Sequence, residues 1–586
     1  MLKPNLILAS TLTTLVIAGC ADSNNSRVPQ GSAQPAPSST PLPAPQTADE
    51  RPRLREQSEV VANSEQHVSQ HPAIPPRQFV AEKKSVAQDA IAGISIARSL
   101  APLRPASEPL NRENYHHFDS NPVTRVAESP VSTFSIDVDT GSYSNVRRML
   151  NAGQLPVRDA VRIEELVNYF DYSYPAPDSA DTPFQVTTET GPNPWNSNTR
   201  LLHIGIKGYQ VAKADIPAAN LVFLIDVSGS MQSPDKLELL KKGMKLLVKQ
   251  MRPQDRVSIV VYAGASGVVL EPTAGDQTFK INQALDKLTA GGSTNGAAGI
   301  RLAYEVAQSA YIRDGVNRIL LATDGDFNVG TTDFEQLVDL VETRRDSGIG
   351  LSTLGFGAGN YNDHLAEQLA NKGNGTHAYI DTLNEANKVL VNQLSSTLLT
   401  IASDVKIQLE FNPAVVSEYR LVGYENRQLR REDFNNDKID AGEIGAGHTV
   451  TALYEITLAG SGSERIDPLR YGGTHKTKSN HGNELALLRL RYKQPDSDTS
   501  QLIEAPVYRK SIKTGLEQTT EAYRFAAAVA GFGQQLRGGE YLEGFNYESV
   551  LQLARGSRGS DANGYRGEFI QLVQLAQSVD LSLIHI

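Results

Sequence analysis

Cysteine is all but missing from this chain: its 586 residues hold one, Cys20. An intramolecular disulfide is therefore impossible, and zinc sites built on several thiolates are excluded. Excess basic charge is missing too. Lys and Arg number 56 against 66 Asp and Glu, a net charge of −10, so a nucleic-acid partner has no electrostatic footprint to bind. No segment reaches the roughly 18–20 apolar residues that span a bilayer, which argues against a pore. His-Glu-x-x-His, Gly-x-Ser-x-Gly and Gly-Lys-Ser/Thr are absent as well. These are local signatures of a metalloprotease, a serine hydrolase and a phosphate-binding loop. What is there fits globular domains diluted by an unfolded part. Hydrophobic residues make up 40%, and many of the 30 prolines fall before residue 110. The length allows three or four domains at about 150 residues each.

The N-terminus carries Lys3, an apolar stretch from Leu6 to Ile17, and then Ala18-Gly19-Cys20. This is the three-part layout of a secretory signal. Small residues before the cysteine resemble a bacterial lipobox. The resemblance implies that cleavage after residue 19 leaves Cys20 lipid-modified, anchoring the chain to a membrane. Ala21, where inner-membrane retention would use Asp, implies by the same resemblance a cell-envelope protein of the outer membrane. Residues 21–115 are rich in Pro, Ser, Ala and Gln and read as a tether. Its mean reach is roughly 50–60 Å. A weak helical pattern falls at 80–100.

Ordered patterning begins near Val131. Phe134, Ile136 and Val138 alternate as a half-buried strand does. Asp137 and Asp139 read as a strand end followed by helix-capping chemistry at Asp139, Thr140 and Ser142. Residues 116–217 form an N-terminal α+β region. From 218 to 400 the rhythm is doubly wound α/β, with mostly parallel apolar strands expected at 220–226, 256–263, 317–324 and 349–356. From 401 to 515 the period becomes two, as in Val405, Ile407, Leu409 and Phe411, which indicates an antiparallel β-sandwich. The strands at 184–206 are expected in the same sheet, with the α/β unit inserted between the two groups. Residues 516–586 read as a small helical region.

The chemistry-bearing residues cluster in the α/β segment. Asp226-Val227-Ser228-Gly229-Ser230 ends the apolar run Leu221 to Ile225, Thr294 lies in a Gly-rich loop before a helix, and Asp324 ends the run Arg318 to Thr323. Ligands of such sheets gather outside the carboxyl ends of the strands. Two carboxylates and three hydroxyls suit a hard divalent cation, Mg²⁺ or Mn²⁺.

These elements resemble a von Willebrand factor type A (VWA) domain with a metal-ion-dependent adhesion site. The resemblance implies that Asp226, Ser228, Ser230, Thr294 and Asp324 are the metal-site residues. It also implies that hydroxyls coordinate directly, aspartates act mainly through water, and one open position takes a partner's carboxylate. The flanks, from Ser132 to Tyr143, Arg162 to Phe170 and Arg431 to Asp437, are similar to an uncharacterised group of bacterial VWA lipoproteins. The expected function is a membrane-anchored, divalent-cation-dependent protein-binding module, not an enzyme, whose partner is an unknown protein presenting an Asp or Glu. A metal-dependent envelope hydrolase and a structural envelope protein are the competing readings. His364 and His377 are expected at the surface. The run from Asp433 to Glu443 begins like a calcium loop, but Lys438 replaces the needed glycine and Ile444 the closing acid, so it reads as a polar loop.

Overall fold

Chain order sets the architecture. The first elements are β1 (Thr124–Arg125), β2 (Val131–Ser135), α1 (Gly141–Asn151), α2 (Ile163–Asn168), β3 (Phe184–Asn193) and β4 (Asn196–Gly208). The α/β segment follows with β5 (Ala219–Asp226), α3 (Leu237–Val248), β6 (Arg256–Tyr262), β7 (Ser266–Ala274), α4 (Thr278–Asp286), α5 (Gly296–Ser309), β8 (Val316–Thr323), α6 (Phe334–Arg345), β9 (Gly350–Phe356), α7 (Asp363–Lys372), β10 (His377–Ile380), α8 (Leu383–Asn387) and α9 (Leu394–Leu398). Then come β11 (Thr400–Phe411), β12 (Val416–Val422), β13 (Gly442–Gly445), β14 (Thr449–Leu458), β15 (Glu484–Lys493) and β16 (Ser500–Tyr508), and finally α10 (Glu521–Leu536), α11 (Tyr547–Arg555) and α12 (Tyr565–Ile584). The computed structural model describes residues 113–325, 334–471, 481–495, 497 and 499–584. All belong to one compact unit. Cys20, the tether to residue 112 and the 80–100 helical pattern lie outside the described residues.

The α/β sheet has the order β10-β9-β8-β5-β6-β7, parallel except for β7, which runs antiparallel to β6. The central strand β5 is buried along its whole length. Its alternate residues serve two cores, which is why it reads as an unbroken apolar run. Leu221, Phe223 and Ile225 pack with Leu240 of α3 and Leu285 of α4. Val222 and Leu224 pack on the other face with Ile300 of α5, Val341 of α6 and Leu365 of α7. Each such side chain stabilises the fold by roughly 1.5–3 kcal/mol. This is the doubly wound α/β architecture expected from the sequence.

The sandwich has one sheet ordered β1-β12-β14-β4-β3 and a second ordered β13-β11-β15-β16, with β2 also paired to β11. Strand β4 lies directly on β14, with Ile206 opposite Val450 and Ile204 opposite Ala452. The α/β unit is thus inserted between β4 and β11, two strands of the sandwich. Its core holds Ile204, Ile206, Tyr454 and Ile456 from one sheet and Ile407, Leu409, Leu488 and Leu490 from the other.

The regions 116–217, 401–515 and 516–586 are interleaved and do not form three separate bodies. Elements flanking an insertion must find partners across it. Helices α1 and α2 therefore share a core with α10 to α12, through Val146, Leu166, Phe170, Phe525, Phe569 and Val573. Leu201, Val422 and Leu453 of the first sheet join that core. Both faces of this sheet are consequently covered. Among the described residues, no helix is long and apolar enough to cross a membrane.

Candidate metal centre

Strand β5 ends in Asp226, and the chain turns at once. Asp226 Oδ1 accepts the Ser228 backbone N–H at 2.8 Å. Its Oδ2 accepts the Thr323 hydroxyl at 3.3 Å, from the end of the neighbouring β8. Ser228 and Ser230 bring their hydroxyl oxygens within 3.0 Å of each other. The Thr294 loop is clipped to this turn by two backbone bonds, Gly229 N–H to the Gly292 carbonyl at 3.0 Å and Gly291 N–H to the Val227 carbonyl at 2.8 Å. Asn295 then caps α5, accepting from Ala298 N–H, which leaves half-buried Thr294 between the clip and the cap. Asp324 follows β8 and is fully buried. The five sequence-predicted residues thus lie on the two loops that follow the adjacent strands β5 and β8 and on the α4–α5 loop clipped to the first of them.

Gly325 fixes the loop after β8. It sits at φ +82°, and a Cβ there would approach the Asn362 backbone nitrogen to 2.3 Å. Only glycine meets both conditions.

The electrostatics favour a cation. Burial pushes the Asp226 carboxyl up to about 6; hydrogen bonds from Ser228 oppose the rise, and the neighbouring Asp324 charge adds to it. A buried carboxylate pair is stabilised by positive charge between or beside its members. One such charge comes from the protein. Lys236, just before α3, is buried and places its Nζ 3.0 Å from Asp324 Oδ2 and 3.2 Å from Asn360 Oδ1. Its stem lies against Gly357, where a Cβ would come within 2.2 Å of Lys236 Cε. Sequence reasoning missed Lys236, Asn360 and the Thr323 hydroxyl. The signal for Thr323 was present in the Thr-Asp-Gly turn; Lys236 and Asn360 join Asp324 across 88 and 36 residues, beyond any local pattern. Two carboxylates and neutral hydroxyls, all oxygen donors, fit a hard divalent ion.

A second acidic group proves to be structural. Asp137, Asp139 and Glu367 bring carboxylate oxygens within 4.8 Å of one another. Guanidinium groups already serve them. Arg427 reaches Asp137 at 3.0 Å and Glu367 at 2.9 Å, and Arg162 reaches Glu367 at 2.7 Å. The capping role expected of Asp139 and Thr140 is not made. Thr140 has no side-chain cap bond, and Asp139 Oδ1 accepts the His377 backbone N–H at 2.8 Å. Glu165 of α2 takes over, accepting Ser142 N–H in the first turn of α1 at 2.8 Å. His377, expected at the surface, is only 2% exposed. Its ring nitrogens meet the hydroxyls of Thr353 and Tyr361 at 2.9 and 3.0 Å. The run from Asp433 to Glu443 also turns its acids inward, Asp433 to Arg430 and Asp437 to Arg491 and Ser500.

A mostly parallel six-stranded sheet, helices on both faces and an Asp-x-Ser-x-Ser turn at the end of its central strand define a VWA-domain protein. The von Willebrand factor type A domain model matches residues 221–326, and a von Willebrand factor model matches 109–203. A model described as "Uncharacterized protein YfbK, C-terminal" matches 396–579. The uncharacterized protein YfbK of Escherichia coli K12 is 49% identical over 472 residues, spanning 79% of this chain and 81% of that one. The chain belongs to this YfbK family of VWA proteins. The uncharacterized protein sll0103 of Synechocystis is 26% identical over 295 residues, 49% of this chain and 64% of that one. A solved structure, the von Willebrand factor type A protein from Catenulispora acidiphila, is 14% identical at a TM-score of 0.39, over 68% of this chain and 91% of that one. VWA domains commonly mediate metal-dependent protein interactions, often with Mg²⁺.

Proposed function

We propose that this chain is an envelope-anchored module that grips a partner protein through a divalent cation. The observation that carries the reading is the convergence of Asp226, Ser228 and Ser230 with the Thr294 loop and Asp324 at the carboxyl ends of β5 and β8. These residues would hold Mg²⁺ or Mn²⁺, and the bound ion would supply one open coordination position. Charge supports the next step. Asp226 and Asp324 are offset in part by Lys236, leaving one net negative charge. A divalent ion turns that into one net positive charge, which matches a single Asp or Glu side chain of the partner. The surrounding loops then select among carboxylates, and no catalytic step is required. Lipid on Cys20 and the Pro-rich segment after it would hold the module at the outer membrane.

The test is a crosslinked pull-down from cell envelopes with wild type and Asp226→Ala, each with and without EDTA. Capture of a partner by wild type alone, lost in EDTA, is expected. Capture that survives both EDTA and the substitution overturns the metal bridge. Fatty-acid labelling of wild type but not of Cys20→Ala is expected for the anchor, and equal labelling overturns it.

A further inference from the structure

A polar cavity of about 340 Å³ lies where the end of β4, the start of α9, the end of α2 with the chain after it, and the β13–β14 turn meet. It belongs to the described compact unit and takes no part in the metal centre. Lys207 is among its lining residues. Along β4, Ile204 and Ile206 face the sandwich core, so Lys207 points to the opposite side. Lys207 is only 5% exposed. Yet its ammonium has no hydrogen bond and no ion pair among the described residues. The residue is buried, and its unpaired ammonium opens onto the cavity, where something anionic or aqueous has to meet it.

The other walls supply donors. His448 Nδ1 accepts the Gly445 backbone N–H at 3.4 Å, which leaves Nε2–H free to donate. Burial, with Lys207 and Lys388 adding, holds His448 down at about 4, so it is neutral at pH 7. Gln393, Ser395 and Ser396 also line it, with side chains that make no hydrogen bond among the described residues. Lys388 lies nearby, but Glu385 at 3.9 Å offsets its charge and burial lowers it to about 7, so Lys207 is the cation that faces the cavity. One carboxylate lies in the lining, that of Asp171, and it is engaged by Ser173 N–H at 2.7 Å.

We infer that this cavity is a binding site for a small oxyanion, a molecule with a phosphate or carboxylate head held by Lys207, His448 Nε2–H and the Gln393–Ser396 side chains. Ammonium, imidazole N–H and hydroxyl donors are the groups that recognise such heads. The volume falls in the range of small-ligand pockets, roughly 300–1,000 Å³, so it accommodates more than the head alone. The inference does not depend on the metal bridge.

The experiment is calorimetric titration of the full chain with inorganic phosphate and, separately, with acetate. Chloride fixes the ionic strength, and EDTA removes any cation that could capture the anion at Asp226. Saturable binding of at least one anion is expected, weakened tenfold or more in Lys207→Met and largely kept in Lys207→Arg. Preference for phosphate or for acetate names the head group. If Lys207→Met does not fold, Gln393→Leu with Ser396→Ala provides the comparison, and a similar weakening is expected. No saturable binding of either anion, or unchanged affinity in the substituted chains, overturns the site.

Discussion

Lys236 competes with any divalent ion for the same electrostatic niche, and its effect has two signs. It stabilises buried Asp324 at 3.0 Å when no metal is present. It also repels a bound divalent ion, because like charges a few ångströms apart interact by several kcal/mol even at an effective dielectric of ~20. Lys236→Met should therefore bind Mn²⁺ more tightly, by roughly tenfold or more, about 1.4 kcal/mol per tenfold. Partner capture should weaken, since the loaded site loses its net positive charge. Calorimetric titration with Mn²⁺ beside a pull-down separates the two effects. Weaker Mn²⁺ binding would mean that Lys236 organises the loops instead of setting their charge. Gly325 offers a purely steric counterpart. Gly325→Ala must place a Cβ at φ +82° against the Asn362 backbone. A loss of roughly 1–3 kcal/mol is expected in denaturant unfolding without metal.

At the scale of elements, buried ion pairs tie Arg162, just before α2, and Arg427, in the turn after β12, to α7 of the α/β unit. Burial alone would raise the Glu367 carboxyl, but Arg162 and Arg427 overcome it and hold Glu367 at about 2. Its contribution is present above the unfolded carboxyl value and is lost as pH falls toward 2. Arg427→Met leaves Asp137 and Glu367 short of a partner and should cost roughly 3–5 kcal/mol. Asp139 behaves oppositely. Burial, with Asp137 adding, raises it to about 7. The folded chain therefore binds more protons than the unfolded chain between the ordinary Asp value and 7, and stability falls as pH rises through that window. Urea midpoints should drop between pH 5 and 8, and Asp139→Asn should flatten the drop. A drop of the same size in Asp139→Asn would assign it to other groups, such as Glu443, which burial raises to about 8.

None of these pairings is legible in the sequence, because Arg427 and Asp137 are 290 residues apart. Strands β5 and β8 are legible, since two-sided burial writes them as unbroken apolar runs. So are the loops of the candidate metal site, since each directly follows a strand or precedes a helix. The edge strand β7 left no such mark: Val268 and Val269 are both more than a third exposed. Asp139 misled for the same reason that His377 did. Local chemistry suggested a cap and a surface residue, and tertiary partners claimed both.

Across the described residues a VWA unit is inserted into a frame of sandwich and helices, and the two parts keep separate hydrophobic clusters. Buried ion pairs join them, beside backbone bonds such as Asn114 N–H to the Tyr361 carbonyl at 3.0 Å and Ala446 N–H to the Leu399 carbonyl at 2.8 Å. Beside the Arg162–Arg427 network, Arg147 of α1 binds Asp381 and Glu385 of the inserted unit and Glu568 of α12 at once. Cation binding stabilises whatever unfolds together with the metal centre, by about 2.7 kcal/mol when the free ion is a hundred times its dissociation constant. If the ionic joints make the unit and its frame unfold together, saturating Mg²⁺ should raise a single calorimetric transition of the full chain. Combining Arg147→Met with Arg427→Met should split that transition in two. Only the part containing the inserted unit should then respond to Mg²⁺, because all five site residues lie between Asp226 and Asp324. A wild-type chain that already melts in two steps, with one step blind to Mg²⁺, would show that the joints position the unit without coupling its stability to the frame.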